Sequence, residues 1–341
     1  MDDRALSELS DCVESVARVP LVPGPTPLER GPILPGGARL WVKRDDLTGL
    51  GAGGNKARKL EYLCADAHRS GAQALVTVGA AQSNHCRMTA AAGAVLGMDV
   101  HLVLSGGQPA KAEGNQLLSQ LFGARIHFTG ADDHHWDELE AGRESVSARL
   151  EADGVVPYSI PIGGSTALGA LGYARAMIEL AGQFAENEIE PRAVVHTTSS
   201  GGTHAGLVAG RALILNAEMP APDIVGIGVA KGVNRGRPDV AVLAQASLDL
   251  LGADGVRIDD DAVLVDPRWM GDDYAVPTRE ADDAIRWAAR TGGWVLDRVY
   301  SGKGMAGLLG RAASGEWGTG DDVVFIHTGG LPSVFATDGA P

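Results

Sequence analysis

The sequence predicts an α/β protein built around mostly parallel β-sheet. From Arg39 onward, short runs rich in β-branched residues alternate with longer amphipathic or alanine-rich segments, a pattern typical of β-α-β crossover units. Turn residues separate these segments, and we expect helices between most successive strands. The predicted strands are Arg39–Lys43, Ala74–Val78, Val100–Leu104, Arg125–Phe128, Tyr158–Ile162, Ala193–Thr198, Ile224–Val229 and Val323–His327.

Two segments are expected to lack regular structure. Leu21–Pro35 contains five prolines and should form an extended arm, because proline fixes φ and removes a backbone donor. Gly252–Tyr274 is rich in glycine and aspartate and should form an irregular excursion. A chain of 341 residues has room for two lobes, each with its own sheet.

The composition favours a small-molecule partner. The formal net charge is -14, whereas nucleic acids and anionic membranes are bound by basic surfaces. No apolar run approaches the roughly 20 residues of a membrane span, and no signal-like apolar stretch follows Met1–Arg4. The three cysteines have no C-x-x-C spacing, and His134 and His135 have no third ligand nearby. We expect a cytoplasmic protein without a metal site.

Lys56 is predicted to lie at the start of a helix. The glycine-rich run Gly51–Asn55 leads into Ala57–Leu63, which consists of strong helix formers with leucines on one face. The positive end of the helix dipole and the neighbouring Arg58 and Lys59 should lower the pKa of the Lys56 ammonium. A neutral amine is what a covalent bond to a carbonyl cofactor requires. The alternative is a glycine-rich loop with a solvated lysine.

A second segment, Ala193–Leu213, has the pattern of an anion-binding turn. A buried strand is followed by the turn Ser199–Thr203 and then by a helix of small residues. Such a turn presents backbone N–H groups and hydroxyls to an anion. The segment lacks the P-loop lysine and the G-x-G-x-x-G pattern, so a nucleoside triphosphate and NAD are disfavoured. We predict a phosphate site, with an ordinary strand-to-helix turn as the alternative.

Six motifs then occur in order along nearly the whole chain. They are Lys43–Thr48, Gly53–Glu61, Gln82–His85, Ser200–Gly206, Val299–Met305 and His327–Gly330. With these motifs the sequence resembles the D-cysteine desulfhydrase and 1-aminocyclopropane-1-carboxylate (ACC) deaminase family of fold-type-II pyridoxal-phosphate enzymes, which has L-cysteate sulfo-lyases among its relatives.

The resemblance implies a tryptophan-synthase-β-like architecture. Two open, twisted, mostly parallel sheets with flanking helices are expected, with pyridoxal 5'-phosphate bound between two domains. The small domain would comprise residues 50–163, and the large cofactor-binding domain residues 1–49 and 164–341. A homodimer is the usual assembly that the resemblance implies.

The resemblance also implies a role for particular side chains. Lys56 would carry the cofactor, and two tyrosines would lie close to the substrate. The implied catalytic residues are Lys56, Tyr300, Ser83 and Tyr274. The implied cofactor-binding residues are Lys56, Lys59, Asn84, Ser200, Gly201, Gly202, Thr203, Ser301 and Thr328, the last two close to the pyridine nitrogen. The implied substrate-binding residues are Ser83, Asn84, His85, Tyr274 and Tyr300.

The activity that the resemblance implies is β-elimination from a small amino acid, with a 2-oxo acid and ammonia as products. D-Cysteine is favoured over ACC, because ACC deaminases resemble one another in having an acidic residue where Ser301 stands. L-Cysteate is the other lyase substrate to consider. β-Replacement, racemisation and a non-catalytic cofactor-binding scaffold are alternatives, and the intact Lys56 and Tyr300 count against the scaffold.

A basic loop bears on the choice of leaving group. Lys231, Arg235 and Arg237 follow a predicted strand in an otherwise acidic chain. If one of them faces the cleft, it could neutralise a sulfonate in a closed pocket. If all three face water, they form a solvated surface and a thiol is the expected leaving group.

Overall fold

The computed structural model describes residues 3–132, 135–230 and 237–337. Within these ranges the strands are β1 (Leu28–Ile33), β2 (Arg39–Lys43), β3 (Ala74–Gly79), β4 (Asp99–Leu104), β5 (Arg125–Phe128), β6 (Pro157–Ile160), β7 (Ala193–Thr198), β8 (Asp223–Gly228), β9 (Leu264–Asp266) and β10 (Asp322–Ile326). The helices are α1 (Asp3–Glu14), α2 (Lys56–Arg69), α3 (Asn84–Leu96), α4 (Gly114–Leu121), α5 (Trp136–Ala152), α6 (Ala167–Glu186), α7 (Gly202–Asn216), α8 (Arg237–Leu250), α9 (Arg279–Gly292) and α10 (Ser301–Ala313). Among the helices so described, none is long and apolar enough to cross a bilayer.

The strands form two sheets, which confirms the predicted α/β class. One sheet has six strands in the order β1-β2-β10-β7-β8-β9, and only the β1–β2 pair is antiparallel. The other has four parallel strands in the order β5-β4-β3-β6. All strands of the four-stranded sheet fall within the range 50–163 expected for the small domain. The domain boundaries themselves stay a prediction.

Each of the eight predicted strands is present, and two further strands appear at the edges of the six-stranded sheet. β1 lies in the proline-rich arm and pairs with β2, while β9 lies in the expected irregular excursion and pairs with β8. An edge strand needs hydrogen-bonding partners on one side only, so it tolerates Pro32. Both strands owe their conformation to pairing with a neighbour rather than to a local pattern.

The carboxyl ends of strands from both sheets converge on one region. β3 and β6 of the four-stranded sheet lead into Gly79 and Ile162, and β7 and β10 lead into Ser199 and Thr328. Strands β3, β7 and β10 are buried along their whole length, as expected for parallel strands covered on both faces. In open α/β sheets, ligands bind outside the carboxyl ends of the strands. The fold therefore points to this region as the functional site.

Candidate active site

A cavity between the two sheets brings together most of the predicted site residues. It is lined by segments that follow β3 and β6, by the start of α2, and by turns after β7 and β10. The predicted residues on its wall are Lys56, Ser83, Asn84, His85, Ser200, Tyr274, Tyr300 and Thr328. Segments far apart in the sequence thus meet at one site.

Lys56 is the first residue of α2, as predicted, and its side chain is almost buried. Its Nζ lies 3.1 Å from Asn55 Oδ1 and 5.6 Å from the centroid of the Tyr300 ring. Burial, followed by the charge of Arg87, lowers the pKa of Lys56 to about 8. The predicted direction is confirmed, but the charge responsible is that of Arg87, since the Arg58 guanidinium is turned away to form ion pairs.

The turn predicted to bind an anion, named the cradle here, lies where α7 begins. The chain turns through Gly201, with φ of 83°, and α7 begins at Gly202. The Gly202 N–H donates to Ser165 Oγ over 3.2 Å, and the Ser165 hydroxyl donates to Ser200 Oγ over 2.8 Å. Lys59 Nζ lies close by and donates to the Gly163 carbonyl over 3.0 Å. A backbone N–H, two hydroxyls and an ammonium therefore lie together at a helix N-terminus, the kind of place where proteins bind anions.

Lys59 and Ser165 can approach the cradle this closely only because Gly202 has no side chain. A Cβ on Gly202 would lie 2.6 Å from Lys59 Nζ and 2.7 Å from Ser165 Oγ. Burial, and then the charge of Lys56, holds the pKa of Lys59 well below its usual value. Thr203 completes the turn and accepts a hydrogen bond from Asn55 Nδ2 over 3.1 Å. A bound anion would supply the negative charge that this buried lysine lacks.

A second helix N-terminus faces the cavity at α3. Ser83 caps this helix, and its Oγ accepts from the Cys86 N–H over 3.2 Å. The helix begins at Asn84. His85 Nε2 lies 2.9 Å from Thr77 Oγ1. Because the Thr77 hydroxyl donates to the Ile160 carbonyl, His85 Nε2 is the donor to Thr77. Burial, with the charges of Lys56 and Lys59, holds the pKa of His85 well below its usual value, so the ring is neutral.

Two tyrosines form another part of the wall. The Tyr300 hydroxyl donates to the Thr197 carbonyl over 2.9 Å, and burial raises the pKa of Tyr300 well above its usual value. Tyr274 lies edge-on to Trp136, with ring centroids 5.3 Å apart. The two predicted active-site tyrosines therefore share one cavity, and Tyr300 stays protonated at neutral pH.

The two predicted hydroxyl partners of a ring nitrogen differ in their surroundings. The Ser301 hydroxyl donates to Asp297 Oδ2 over 2.7 Å and accepts from the Asp297 N–H over 2.9 Å. Ser301 is fully buried and does not reach the cavity wall. Thr328 does line the cavity, and its Oγ1 is buried without a partner among the described residues. The structure thus brings Thr328, and not Ser301, to the cavity.

A family model described as "Pyridoxal-phosphate dependent enzyme" matches residues 19–329. The chain belongs to this family. The D-cysteine desulfhydrases of Klebsiella pneumoniae and Salmonella newport are each 39% identical over 329 residues, which cover 94% of this chain and 95% of those proteins. The crystal structure of an ACC deaminase homologue has 37% identity and a TM-score of 0.84, and covers 98% of this chain and 97% of that one. A fungal L-serine ammonia-lyase from Rhizomucor miehei, with 18% identity and a TM-score of 0.64, covers 91% of this chain and 94% of that one and shares the fold.

The geometry of the cavity fits the cofactor of this family. A pyridoxal phosphate needs a lysine for its aldehyde, a cradle for its phosphate and a polar partner for its ring nitrogen. Lys56 offers a buried amine with a lowered pKa, and the turn before α7 offers the cradle together with Lys59. The Thr328 hydroxyl, which has no partner among the described residues, lies on the same wall and could serve as the polar partner of the ring nitrogen.

Several residues at the site were missed from the sequence. Ser165 could have been found, because Gly163–Thr166 follows a strand and precedes the alanine-rich α6, the same pattern that identified the turn before α7. Asp297 accepts hydrogen bonds from the backbone N–H groups of Val299, Tyr300 and Ser301. No sequence pattern marks Trp136 as part of the wall.

Some predictions fall on residues that the structure does not describe. The described ranges do not include Lys231, Arg235 and His134. Arg237 is the first residue of α8, and the structure describes its backbone only. His135 is largely exposed and lies 3.6 Å from Glu138. The proposed function is therefore argued from the described part of the cavity.

Proposed function

We propose that this pyridoxal-phosphate dependent enzyme catalyses β-elimination from D-cysteine, which gives pyruvate, ammonia and hydrogen sulfide. One observation favours a thiol leaving group: Lys56 is the only lysine or arginine among the described residues that line the cavity. A sulfonate in a closed pocket would need a cation beside it, whereas a thiol needs none. The similarity to proteins named D-cysteine desulfhydrase supports the same substrate.

Lys56 is assigned the central role in this chemistry. When bound, the cofactor supplies the electron sink that makes the α-proton of an amino acid acidic. Lys56 Nζ takes that proton from the α-carbon as general base. With a pKa of about 8, about one tenth of the amine is neutral at pH 7, far more than for an ordinary lysine, and this suits a general base.

Two helix N-termini bind the two anionic groups. Lys59 and the Ser200–Thr203 turn before α7 hold the cofactor phosphate, with the help of Ser165. The Ser83–His85 segment at the start of α3 binds the substrate carboxylate through hydroxyl and backbone donors. The substrate is thereby fixed at one end while its β-carbon points into the cavity.

The tyrosines enclose the reacting part of the substrate. Tyr300 lies beside Lys56 Nζ, and its hydroxyl is held by the Thr197 carbonyl. Tyr274 and Trp136 close the wall from two sides of the cavity. Together they exclude water from the α-carbon and limit the size of the group at the β-carbon.

Release of a 2-oxo acid from a set of substrates tests this function, with pyruvate expected from the three-carbon substrates and 2-oxobutanoate from ACC. The cofactor-loaded protein is incubated with D-cysteine, L-cysteate, ACC and β-chloro-D-alanine, with the Lys56→Ala variant as control. We expect pyruvate from D-cysteine and β-chloro-D-alanine, sulfide only from D-cysteine, and none of these from the variant. Turnover confined to L-cysteate or to ACC would replace D-cysteine as substrate, and no turnover of any of them would reject β-elimination.

We also propose that the enzyme acts as a cytoplasmic homodimer. Support for the dimer comes from Leu121 and Phe335, whose side chains are 71% and 72% exposed. Helix α4, which carries Leu121, packs against the 331–335 turn that carries Phe335, so the two lie on one side of the chain. Apolar exposure of this kind marks interaction surfaces. Analytical ultracentrifugation of the wild type and of Leu121→Lys tests the dimer.

A further inference from the structure

Behind the Ser83–His85 segment lies a buried cation that lacks an acidic partner. Arg87 is fully buried, and among the described residues no carboxylate lies within ion-pair distance of it. Arg58, which is also fully buried, is paired with Asp45 at 2.9 Å and with Glu179 at 2.8 Å. A buried charge without a counter-charge is costly, so the positive charge of Arg87 calls for an anion that the chain itself does not supply.

The guanidinium of Arg87 connects three parts of the site. Its Nη1 donates to the Gly53 carbonyl over 3.0 Å and to the Gly51 carbonyl, in the loop that leads into Lys56. Its Nε donates to Asn115 Oδ1 over 3.0 Å, and Nη2 lies 3.4 Å from Asn84 Oδ1. Asn115 Nδ2 in turn donates to Asn84 Oδ1 over 3.0 Å. Arg87 thus fixes both the Lys56 loop and the cavity-lining Asn84.

Of the three buried basic residues at the site, Arg87 is the one that holds a fixed positive charge. Lys56, Lys59 and Arg87 are all buried, and the cradle next to Lys59 accounts for one anion, the phosphate. Burial lowers the pKa of Arg87 only to about 10, so the side chain is charged at neutral pH. Its charge lies behind the N-terminus of α3, whose dipole has the same sign. Both favour a second anion at Asn84.

We propose that Arg87 is a positioning residue that supplies the fixed positive charge for the substrate carboxylate, acting through Asn84 and the glycine loop before Lys56. Because an amino-acid substrate is assumed, this role rests on the proposed function. Arg87 does not line the cavity, so its charge acts at a distance and through the orientation of Asn84. A neutral residue of similar size would keep the packing and lose the preference for a carboxylate.

Binding of two unreactive probes separates charge from chemistry. D-Alanine and D-alaninamide differ in the charge at the carboxyl position, and neither has a leaving group at the β-carbon. Their dissociation constants are measured from the change in the visible absorption of the cofactor-loaded protein. The variants are Arg87→Gln, Arg87→Lys and Asn84→Asp, which places a carboxylate against Arg87. Arg125→Gln, an exposed arginine of the four-stranded sheet, is the matched control.

We expect the wild type and Arg125→Gln to bind D-alanine more tightly than D-alaninamide. The ratio of the two dissociation constants should be about tenfold smaller in Arg87→Gln. Arg87→Lys should keep the preference but bind the cofactor more weakly, because an ammonium cannot hold both glycine carbonyls and Asn115. Equilibrium dialysis measures that affinity. Asn84→Asp should also lose the preference for D-alanine, because its carboxylate pairs with the Arg87 charge. This variant keeps the test available if Arg87→Gln does not fold.

Unchanged preference in Arg87→Gln or in Asn84→Asp would overturn the role of Arg87. An equal loss of the preference in Arg87→Lys and Arg87→Gln would also overturn it, since Arg87 would then contribute packing and not charge. These outcomes do not depend on turnover of D-cysteine. If the wild type binds D-alanine as expected but releases no pyruvate from D-cysteine, the proposed function is rejected and the role of Arg87 stays intact.

Discussion

The indole ring of Trp136 meets the phenol ring of Tyr274 edge-on, with centroids 5.3 Å apart and planes inclined by 69°. Trp136 begins the helix that covers the four-stranded sheet. Tyr274 lies in the segment between α9 and β9, the last strand in the order of the six-stranded sheet. Both line the cavity. The contact therefore joins the two sides of the cavity.

Loss of this contact should weaken substrate binding. Edge-on aromatic pairs contribute about 0.5–1.5 kcal/mol beyond their buried area, so Trp136→Ala should raise KM for D-cysteine by roughly 2-fold to 10-fold. Trp136→Phe keeps a ring edge and should stay near the wild type. Steady-state kinetics distinguishes the two variants, and equal KM values for both would show that the ring contact has no part in binding.

Capture of the cofactor should depend on pH through Lys56. Only the neutral amine attacks an aldehyde, and the pKa of Lys56 is lowered from 10.5 to about 8. The rate at which the cofactor-free protein takes up pyridoxal phosphate should therefore rise with pH and level off above about 8. Stopped-flow absorbance measures this rate. In Arg87→Gln, which lacks the second cause of the shift, the midpoint should move upward; a wild-type rate that still rises steeply up to pH 10 would contradict the lowered pKa.

Lys303 should hold the segment 267–276, which contains Tyr274, in place. This buried lysine donates to the carbonyls of Met270, over 2.6 Å, and Asp273, over 3.2 Å. Lys303→Met removes charged hydrogen bonds of about 1.5–3 kcal/mol each, so proteolysis within residues 267–276 should be faster and KM should rise more than kcat falls. Limited proteolysis with mass spectrometry locates the cut. Lys111→Met, at an exposed lysine, is the control, and an unchanged cleavage pattern in Lys303→Met would count against this role.

A buried ion network should stabilise the start of α2. Asp45 is fully buried and accepts from Arg58 and from the Tyr173 hydroxyl. Removing one partner of a buried pair costs about 3–5 kcal/mol, so Asp45→Ala should lower the urea midpoint strongly. Glu8→Gln breaks the exposed Arg4–Glu8 pair and should cost less than about 1 kcal/mol. Similar midpoints for the two variants would refute the difference between buried and exposed pairs.

The local patterns of the sequence were sufficient for most of the fold. Strand β10 contains the continuous apolar run Val323–Ile326, followed by turn residues, so its position follows from the local sequence. β1 and β9 could not be predicted in this way, because Leu28–Ile33 contains a proline and Leu264–Asp266 is only three residues long. Their structure depends on a neighbouring strand that is distant in the sequence.

At the site, residues at the start of a helix were easier to predict than residues whose role depends on packing between distant segments. Lys56 and Gly202 start helices, and helix starts leave a signal in glycine spacing. The direction of the Arg87 side chain depends on how α3 packs against the glycine loop, which no local pattern encodes. The contact of Ser301 with Asp297 likewise depends on the turn between them, so the burial of its hydroxyl could not be foreseen.

The central claim is that Lys56 carries the cofactor, and chemical mapping tests it most directly. The purified protein should show a visible absorption band from lysine-bound pyridoxal phosphate, and Lys56→Ala should abolish that band. Reduction with borohydride, digestion and mass spectrometry then locate the pyridoxyl group. We predict that it is found on Lys56, in the peptide that contains Asn55 and Ala57. A pyridoxyl group on Lys59, on Lys303 or on any other lysine would contradict the account.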